Sequence, residues 1–488
     1  MDRLRLRPIL HLLSLLLLTV FLTSPLSAQT DNTDTTDTGT DTGTDTGTDA
    51  TVDTAIIGGP IPAAGVAIDA EGVLSLKRSV DGSGELSRQR RLQAVASLGR
   101  ELAKPSELRK VSLNRLEKAF AAKLAAGEKP GDDMLYLAGL TQVQYVFFYP
   151  ESGDIVLAGP AEGFAMNGMG HPIGISSGKT VLQLEDLIVA LRTFGPGAKQ
   201  AGVVSVSIDP TQEGLAKMQD FLTQVGGKAV PADTALIVKG LQDSLGLQTV
   251  TVNGVSPRTH FASVLVEADY RMKLIGIGLE DAPANIPSYV SRAKASAINR
   301  NAMQRWYFVP EYDSVRVSDD GNAAELVGEG VKLVGANEMV REDGTRSQSK
   351  KIDKASEDFT EAFTREYGRM ASKVPVYAQM RNIIDMLVAA AYIQEQDFYT
   401  QASWSMETFG NEKKVPVEIY NAPRQVETAV NAIWKGNVLM TPIGGGVHIN
   451  ARKAISSEHL MHDEEGKVAS EHDKVKVQQL ADGQWWWD

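Results

Sequence analysis

The stretch FASVLVEADYRMKLIGIG, residues 261–278, and the stretch RWYFVPEYDSVRVSDDGNAAELVGEGVKLV, residues 305–334, decide the fold. In the first stretch apolar residues recur at three- and four-residue steps, which is typical of one face of a helix. Ser256 is a suitable N-cap, Pro257 suits the first helical position and Gly276 is a suitable stop. The sequence therefore predicts a core-facing helix that starts at Ser256 and Pro257.

The same helix carries the charged string EADYRMK. Glu267 with Arg271, and Asp269 with Lys273, are acid-then-base pairs four residues apart. Such pairs stabilise a helix. We therefore interpret these charges as part of a scaffold and not as an active site.

The second stretch predicts an antiparallel meander from Trp306 to Val334. Its turn is Asp319-Asp320-Gly321-Asn322, which contains residue types that tolerate positive φ. Earlier in the chain, the β-branched and aromatic run Val143–Pro150 predicts a strand that pairs with Ile155–Ala158. Helical patterns alternate with such strands, at Ser83–Gly127 and Leu184–Phe194. Phe359–Ile393 predicts two helices broken near Val374-Pro375, and Val415–Tyr420 predicts a short strand. The fold class expected is mixed, α/β or α+β, with helices packed on mixed sheets.

The predicted organisation begins with a signal peptide at residues 1–28 and a disordered Thr/Asp/Gly linker, or stalk, at residues 29–60. A mixed α/β region follows at residues 83–255. Residues 256–445 hold the long helix, the meander and a helical pair, and residues 446–488 form a polar segment that ends in a Trp-rich strand.

The N-terminus has the layout of a secretory signal peptide. Arg3, Arg5 and Arg7 precede an apolar run at Ile9–Leu22, and the small-residue site Leu26–Ala28 follows. The run is shorter than the about 20 residues that span a bilayer, although an uncleaved anchor stays open. We expect export to the periplasm, the cell surface or the medium, with no membrane span after cleavage.

The segment after the signal peptide is a low-complexity run that contains three TDTG units. It has too little apolar surface to offset the entropy of ordering, so disorder is expected. Its regularly spaced aspartates leave calcium binding as an alternative, and its threonines permit O-glycosylation.

Composition excludes some classes of function. The formal net charge is −12, which argues against nucleic acid as a partner. The chain contains no cysteine, so neither disulfides nor a lipid-modified cysteine is available.

Gly174-Ile175-Ser176-Ser177-Gly178 fits the G-x-S-x-G pattern of a hydrolase nucleophile. Ser176 and Lys179 also fit S-x-x-K, in which the lysine activates the serine. The residues before the motif, Gly168–Pro172, do not predict the strand that this motif requires. Ser176 and Lys179 are therefore weak catalytic candidates, and a turn-rich loop is the simpler interpretation.

Two further groups are candidates for binding. His459, His462 and His472 lie among acidic residues and form a weak candidate metal site, for example for zinc, although the polar segment favours a solvated loop or hairpin. Trp485, Trp486 and Trp487 are candidates for contact with a glycan or a partner, and the alternative is a terminal strand packed on the core. No cofactor is predicted.

Several strings, among them YVFFYPESGDIVLAGPAEGF, SIDPTQEGL and the terminal WWWD, resemble a family of exported, planctomycete-type bacterial proteins known only as a domain of unknown function. The resemblance extends from about Leu113 onward and implies an exported protein, without assigning catalytic residues. We expect a non-enzymatic structural or binding protein of the cell envelope, with an envelope protein or a polysaccharide as partner. The alternative is a secreted hydrolase whose site the sequence does not identify.

Overall fold

The structure, a computed structural model, describes residues 63–79, 85–198, 203–226, 230–294, 305–335, 338–340, 346–348, 354–431, 433–435, 438–440, 446–474, 477 and 480–488. The signal peptide predicted at residues 1–28 and the linker predicted at residues 29–60 lie outside the described residues.

The elements are numbered in chain order. The helices are α1 (Glu85–Ser97), α2 (Arg100–Ala103), α3 (Leu113–Ala125), α4 (Asp132–Leu135), α5 (Leu184–Thr193), α6 (Gln212–Val225), α7 (Thr234–Leu245), α8 (His260–Gly276), α9 (Tyr289–Arg292), α10 (Lys354–Arg365), α11 (Tyr367–Lys373), α12 (Pro375–Glu395), α13 (Phe398–Gln401), α14 (Ala451–Ala454) and α15 (Lys467–Asp473). The strands are β1 (Ala63–Ile68), β2 (Val73–Ser79), β3 (Ser106–Ser112), β4 (Tyr145–Tyr149), β5 (Asp154–Ala161), β6 (Phe164–Met166), β7 (Pro172–Gly174), β8 (Val204–Asp209), β9 (Gln248–Asn253), β10 (Trp306–Pro310), β11 (Ser314–Val317), β12 (Ala323–Val327), β13 (Val331–Gly335), β14 (Glu338–Val340), β15 (Arg346–Gln348), β16 (Gln425–Val426), β17 (Ile433–Lys435), β18 (Val438–Met440), β19 (Gly446–Ile449), β20 (Leu460–His462) and β21 (Trp486–Trp487).

Two large sheets organise the described part of the chain. The eight-stranded sheet has the order β1-β2-β16-β9-β8-β19-β10-β13, and the seven-stranded sheet has the order β20-β11-β12-β4-β5-β3-β21. Parallel pairs such as β10 with β19 and β11 with β20 occur beside antiparallel pairs. The predicted mixed α/β fold class is confirmed.

The four strands between Trp306 and Gly335 are antiparallel in pairs, but they do not form the simple meander that we expected. β11 pairs with β12 in one sheet, while β10 pairs with β13 in the other. The chain crosses between the sheets at residues 311–313 and returns at residues 328–330. Gly328 and Gly330 take positive φ values of 101° and 69° there, which glycine adopts at little cost.

The predicted hairpin between Tyr145 and Ala161 is confirmed, with β4 paired antiparallel to β5. Alternate side chains of β4 pack on opposite faces of the sheet, as a strand geometry requires. Val146 and Phe148 belong to the main core, whereas Tyr145 and Phe147 belong to a second cluster on the other face. The seven-stranded sheet is therefore covered on both sides.

Helix α8 forms where the sequence predicts it, but its start is not at Ser256. The N-cap is Thr259, whose hydroxyl accepts a hydrogen bond from the backbone N–H of Ala262 at 3.2 Å. The Thr259 hydroxyl also donates to the carbonyl of Ser256, so Ser256 belongs to the preceding turn. The helix ends at the predicted Gly276, where a Cβ would lie 2.3 Å from the Trp306 ring. A small residue is needed there because Trp306 packs so closely.

Helix α12 is the centre of the core, since every residue from Val376 to Ile393 is buried. The break before Pro375 is confirmed, and Pro375 occupies an initial position of the helix. Aromatic contacts join α12 to both sheets, from Tyr377 to Phe308 of β10 and from Tyr392 through Phe398 to Phe148 of β4. Among the described helices, none combines the length and the apolar character that crossing a membrane requires.

Two local predictions are wrong. Strand β3 lies within the segment from Ser83 to Gly127 that we expected to be helical. Residues 415–420, expected to be a strand, have no regular secondary structure. In both places contacts with distant residues decide the structure. Strand β3 pairs with β5 and β21. The backbone N–H of Tyr420 donates to the carbonyl of Arg258, which lies outside both sheets.

The central position of α12 gives a prediction for stability. Leu387 in α12 is 0% exposed, so Leu387→Ala leaves a cavity and should lower the free energy of unfolding by about 2–5 kcal/mol. The same substitution at Leu236 of α7, which is 69% exposed, should change it by less than about 0.5 kcal/mol. Urea denaturation followed by circular dichroism measures both values. Equal effects at the two positions would contradict the central role of α12.

Candidate functional site

The serine motif lies in a turn that follows the β6–β7 hairpin. A three-residue strand, β7, ends at Gly174, so a short strand does precede Ser176, contrary to our expectation. The next helix, α5, begins only at Leu184. A nucleophile elbow needs a direct strand-to-helix turn, and this local structure is different.

The buried carboxylate of Glu162 holds this turn together. It accepts the backbone N–H of Ser176 at 2.8 Å and that of Ser177 at 3.1 Å, and it also accepts the Ser177 hydroxyl. In a serine hydrolase the N–H of the residue after the nucleophile helps to form the oxyanion hole. Here the corresponding N–H, that of Ser177, already has an anionic partner within the protein.

Both glycines of the motif have structural roles in this turn. A Cβ on Gly174 would lie 2.0 Å from the Glu162 carboxylate, and Gly178 has a φ of 71°. Lys179 takes part through its backbone, since its N–H donates to the Ser177 hydroxyl and its carbonyl accepts from Gly174. The G-x-S-x-G and S-x-x-K patterns are thus explained by close packing around Glu162.

The three C-terminal histidines occupy different environments. The side chain of His462 is 87% exposed and lies 3.9 Å from Asp319, and His459 is also exposed. His472 instead stacks on Tyr149, with ring centroids 4.4 Å apart, and its Nε2 donates to the carbonyl of Phe148. Among the described residues, no group of three or more histidine, aspartate or glutamate side chains is arranged to hold a metal ion.

The C-terminal tryptophans lie along the edge of the seven-stranded sheet. Trp486 and Trp487 form β21, which pairs with β3. Trp485 and Trp487 are buried in the two clusters that cover this sheet. Trp486 is partly exposed, and the guanidinium of Arg109 lies 4.6 Å from its ring centroid. Contact of these tryptophans with a glycan or a partner remains a prediction. Of the three, Trp486 is the one with exposed surface for such a contact.

The buried charges of α8 are the feature that sequence reasoning missed. The predicted pairs exist, with Lys273 Nζ 2.9 Å from Asp269 and Arg271 NH1 3.6 Å from Glu267, but all four side chains are buried. Burial raises the pKa of Glu267 to about 7 against the opposing charge of Arg271, and burial raises the pKa of Asp269 to about 6 against Lys273. The four-residue spacing revealed the pairs, but nothing local revealed their burial.

A second polar cluster lies at the start of α8. The ring of His260 donates from Nδ1 to the carboxylate of Asp186 on α5 at 2.9 Å, and the hydroxyl of Tyr420 donates to Glu185 at 2.9 Å. Burial alone would lower the pKa of His260, but the charge and hydrogen bond of Asp186 outweigh it and raise this pKa to about 9. His260 is therefore an imidazolium at neutral pH and cannot act there as a general base.

The pKa of the neighbouring His171 is shifted in the opposite direction. Burial and the charge of His260 lower its pKa to about 4, so His171 is neutral at neutral pH. The imidazolium of His260 and the carboxylates of Asp186 and Glu185 thus form a partly enclosed charged cluster, and His171 is a neutral neighbour of it. No local sequence pattern indicates this cluster, because its members come from distant segments.

A third cluster surrounds Asp385 in α12. The hydroxyl of Tyr312 donates to Asp385 Oδ1 at 2.6 Å, and Arg381 on the same helix pairs with Glu329 at 3.1 Å. Burial raises the pKa of Asp385 to about 7, against the charge of Arg381 and hydrogen bonds from Tyr312 and Gln142. Asp385 is 0% exposed, so this acid is enclosed by protein.

Two clefts are open at the surface. One has a volume of about 720 Å³ and lies between α1 and the β6–β7 hairpin, where Arg90 donates to the carbonyl of Asn167. The other has a volume of about 420 Å³ and lies beside α13, with Tyr399 and Trp404 in its lining. Both volumes fall within the range of about 300–1,000 Å³ that small-molecule sites occupy.

The described residues form a mixed α/β fold, and one segment of the chain is similar to a protein family of unknown function. Residues 206–289 match the model of a family described as "Protein of unknown function (DUF1598)". This segment runs from β8 through α8 to the start of α9, and it includes the buried pairs of α8. The resemblance to a domain of unknown function is confirmed here, while export and planctomycete-type origin stay predictions. No curated protein and no solved structure matches the chain.

The pKa of Asp385 gives a prediction for pH. Its folded value of about 7 exceeds the ordinary value of 3.8, so between these values the folded state keeps a proton that the unfolded state has released. Ionisation of Asp385 therefore opposes folding as the pH rises through this window, by about 1.4 kcal/mol per pH unit. Asp385→Asn should remove this dependence, because asparagine does not ionise, while its side-chain oxygen can still accept from Tyr312.

Urea unfolding from pH 4 to pH 7 measures this difference. The slope of stability against pH should differ by about one proton between wild type and Asp385→Asn. Asp319→Asn, at a side chain that is 98% exposed, is the matched control and should leave the slope unchanged. Parallel curves for wild type and Asp385→Asn would show that Asp385 ionises normally.

Proposed function

We propose that this chain is an exported, non-enzymatic protein of the cell envelope, with a structural or binding role. The N-terminal pattern of residues 1–28 and the resemblance to exported proteins support export. The alternative is a secreted hydrolase, for which Ser176 is the weak candidate nucleophile.

One observation carries the preference for a non-enzymatic role. The carboxylate of Glu162 occupies the backbone N–H groups of Ser176 and Ser177. An oxyanion that forms at Ser176 would need such donors, and it would meet the negative charge of Glu162 instead. This geometry favours a packed turn over an acyl-transfer site.

The ionisable clusters support the same preference. His260 is protonated at neutral pH and is bound to Asp186, so it is a poor proton acceptor. The carboxyl groups of Glu267 and Asp385 have pKa values near 7, but both side chains are buried. Perturbed pKa values also arise in structural ion-pair networks, and these groups fit that description.

The turn gives a direct test of the alternative. Ser176 is exposed, so Ser176→Ala should change the free energy of unfolding by less than about 0.5 kcal/mol. Glu162→Ala should lower it by about 1–3 kcal/mol, because it removes charge-assisted hydrogen bonds. Urea unfolding measures both. A panel of p-nitrophenyl acetate, a p-nitrophenyl glycoside and a casein substrate should be hydrolysed equally by wild type and Ser176→Ala. Hydrolysis that is lost in Ser176→Ala would overturn the proposal.

Export has its own test. The full chain with a C-terminal epitope, produced in a Gram-negative host, should be recovered outside the cytoplasm and shortened by about 28 residues, because cleavage is expected after Ala28. Osmotic-shock fractionation and mass spectrometry of the N-terminus measure this. Deletion of residues 2–28 should retain the chain in the cytoplasm. Cytoplasmic recovery of the full chain would contradict the envelope location.

A further inference from the structure

The cleft beside α13 combines an aromatic floor with a polar rim. Tyr399 and Trp404 line it and are buried, with exposures of 5% and 7%. Exposed polar side chains form the rim, namely Asp397, Thr400, Ser403 and Ser405. Gly195, Pro196 and Gly197 also line the cleft. A few polar groups placed around an apolar surface are typical of sites for small ligands.

The floor is held in place by a buried carboxylate. Glu117 of α3 accepts the indole N–H of Trp404, and it also accepts the backbone N–H groups of Thr408 and Phe409 at 2.7 Å each. The rings of Tyr399 and Trp404 pack with centroids 5.5 Å apart. The indole N–H is the only hydrogen-bond donor of the Trp404 side chain, and Glu117 accepts it. The orientation of this ring is therefore fixed before any ligand binds.

The backbone around the cleft has an uncommon conformation. Asp397, Ser403 and Met406 have φ values of 55°, 51° and 53°, in the left-handed region. Non-glycine residues in this region cost of order 1–3 kcal/mol each, and such positions cluster at ligand sites. Asp397 and Ser403 both line the cleft. The strain therefore coincides with the rim that a ligand would contact.

One polar atom of the floor has no partner in the described residues. The hydroxyl of Tyr399 is buried and makes no hydrogen bond there. Buried hydroxyl groups are normally hydrogen-bonded, and an unmet one is costly. Tyr399 lines the cleft, so a ligand hydroxyl group that gains access to this buried atom would supply the missing bond.

These features select the chemistry of the ligand. The lining contains hydroxyl groups, one carboxylate and two aromatic rings, and no lysine or arginine is among the residues that form it. An anionic ligand would be repelled by Asp397. A sugar ring presents an apolar C–H face to an aromatic floor and hydroxyl groups to a polar rim. We propose that this cleft binds a neutral sugar unit, an inference that rests on the proposed envelope function and assigns its ligand class.

The experiment uses the full chain and defined probes. Isothermal titration calorimetry and saturation-transfer NMR are run with glucose, cellotetraose, maltotetraose and chitotetraose. At least one tetrasaccharide should bind, and comparison with glucose distinguishes a polymer segment from a free monosaccharide. Tetramethylammonium chloride is included as a probe for a cation, which an aromatic floor and a carboxylate could also attract.

Two conservative variants test the cleft itself. Tyr399→Phe removes only the hydroxyl group and should weaken binding about fivefold, the value of one neutral hydrogen bond. Asp397→Asn keeps a residue type that tolerates the left-handed region and should weaken binding about tenfold. The matched controls are Tyr270→Phe on α8 and Asp319→Asn at the exposed β11–β12 turn, and both should bind like wild type.

Each outcome separates this inference from the function it rests on. Saturable binding that both cleft variants weaken supports the sugar site. Three results would overturn the sugar site. The first is that no saccharide saturates at 10 mM, which is on the order of the weakest useful affinity. The others are saturation by tetramethylammonium alone and saccharide binding that both variants leave unchanged. Export and the absence of Ser176-dependent hydrolysis are measured independently. A failed sugar site with those results intact would leave the envelope protein without this ligand class.

Discussion

The burial of α12 is the constraint on which the rest of the structure depends. A helix enclosed on every side must place its polar side chains where the surrounding protein can accommodate them. Gln379, Arg381, Asn382 and Asp385 are all buried in α12. Glu329 and Tyr312, from the segment that crosses between the two sheets, provide partners for Arg381 and Asp385. The division of the four strands between two sheets therefore places hydrogen-bonding partners beside the buried polar side chains of α12.

The same constraint explains why ionisable groups with shifted pKa values need not indicate catalysis. Glu267, Asp269 and Asp385 are acids in the interior, and burial is the largest cause of the raised pKa in each. An active site would need a substrate to reach such groups. The cleft for which we propose a ligand lies elsewhere, near the end of α12, where Glu117 accepts the indole N–H of Trp404 and the backbone N–H of Thr408. The floor of this cleft, Tyr399 and Trp404, still belongs to the main core, so the cleft opens directly onto that core.

The sequence was informative where structure is decided locally. The run Val143–Pro150 predicted a hairpin, and the apolar spacing of residues 261–275 predicted α8, because strand and helix periods are local properties. Strand β3 was missed because its Arg109 and Lys110 resemble surface residues. Arg109 is buried only because Asp488 and four backbone carbonyls, of residues 101, 102, 104 and 138, receive its guanidinium. Long-range partners of this kind leave no local pattern.

The candidate site shows the same limit. The motif around Ser176 is short, and its interpretation depends on Glu162, which approaches only in three dimensions. The aromatic residues Tyr399 and Trp404 carry no periodic signature, and the left-handed backbone beside them is invisible in residue types such as Met406. The spacing of residues thus indicated a serine motif. The three-dimensional positions of Glu162, Tyr399 and Trp404 are needed to place the candidate site.

The pairing of β3 with β21 has a consequence for how the molecule is assembled. Arg109 and Asp488 are 379 positions apart, and the tryptophan strand is the neighbour that covers the outer edge of β3. Until the ribosome has made the tryptophan strand, a nascent chain presents an unpaired strand edge and an unneutralised guanidinium. The seven-stranded sheet therefore cannot be completed until every residue between Arg109 and Asp488 has been synthesised, so this edge belongs to the non-local part of the fold.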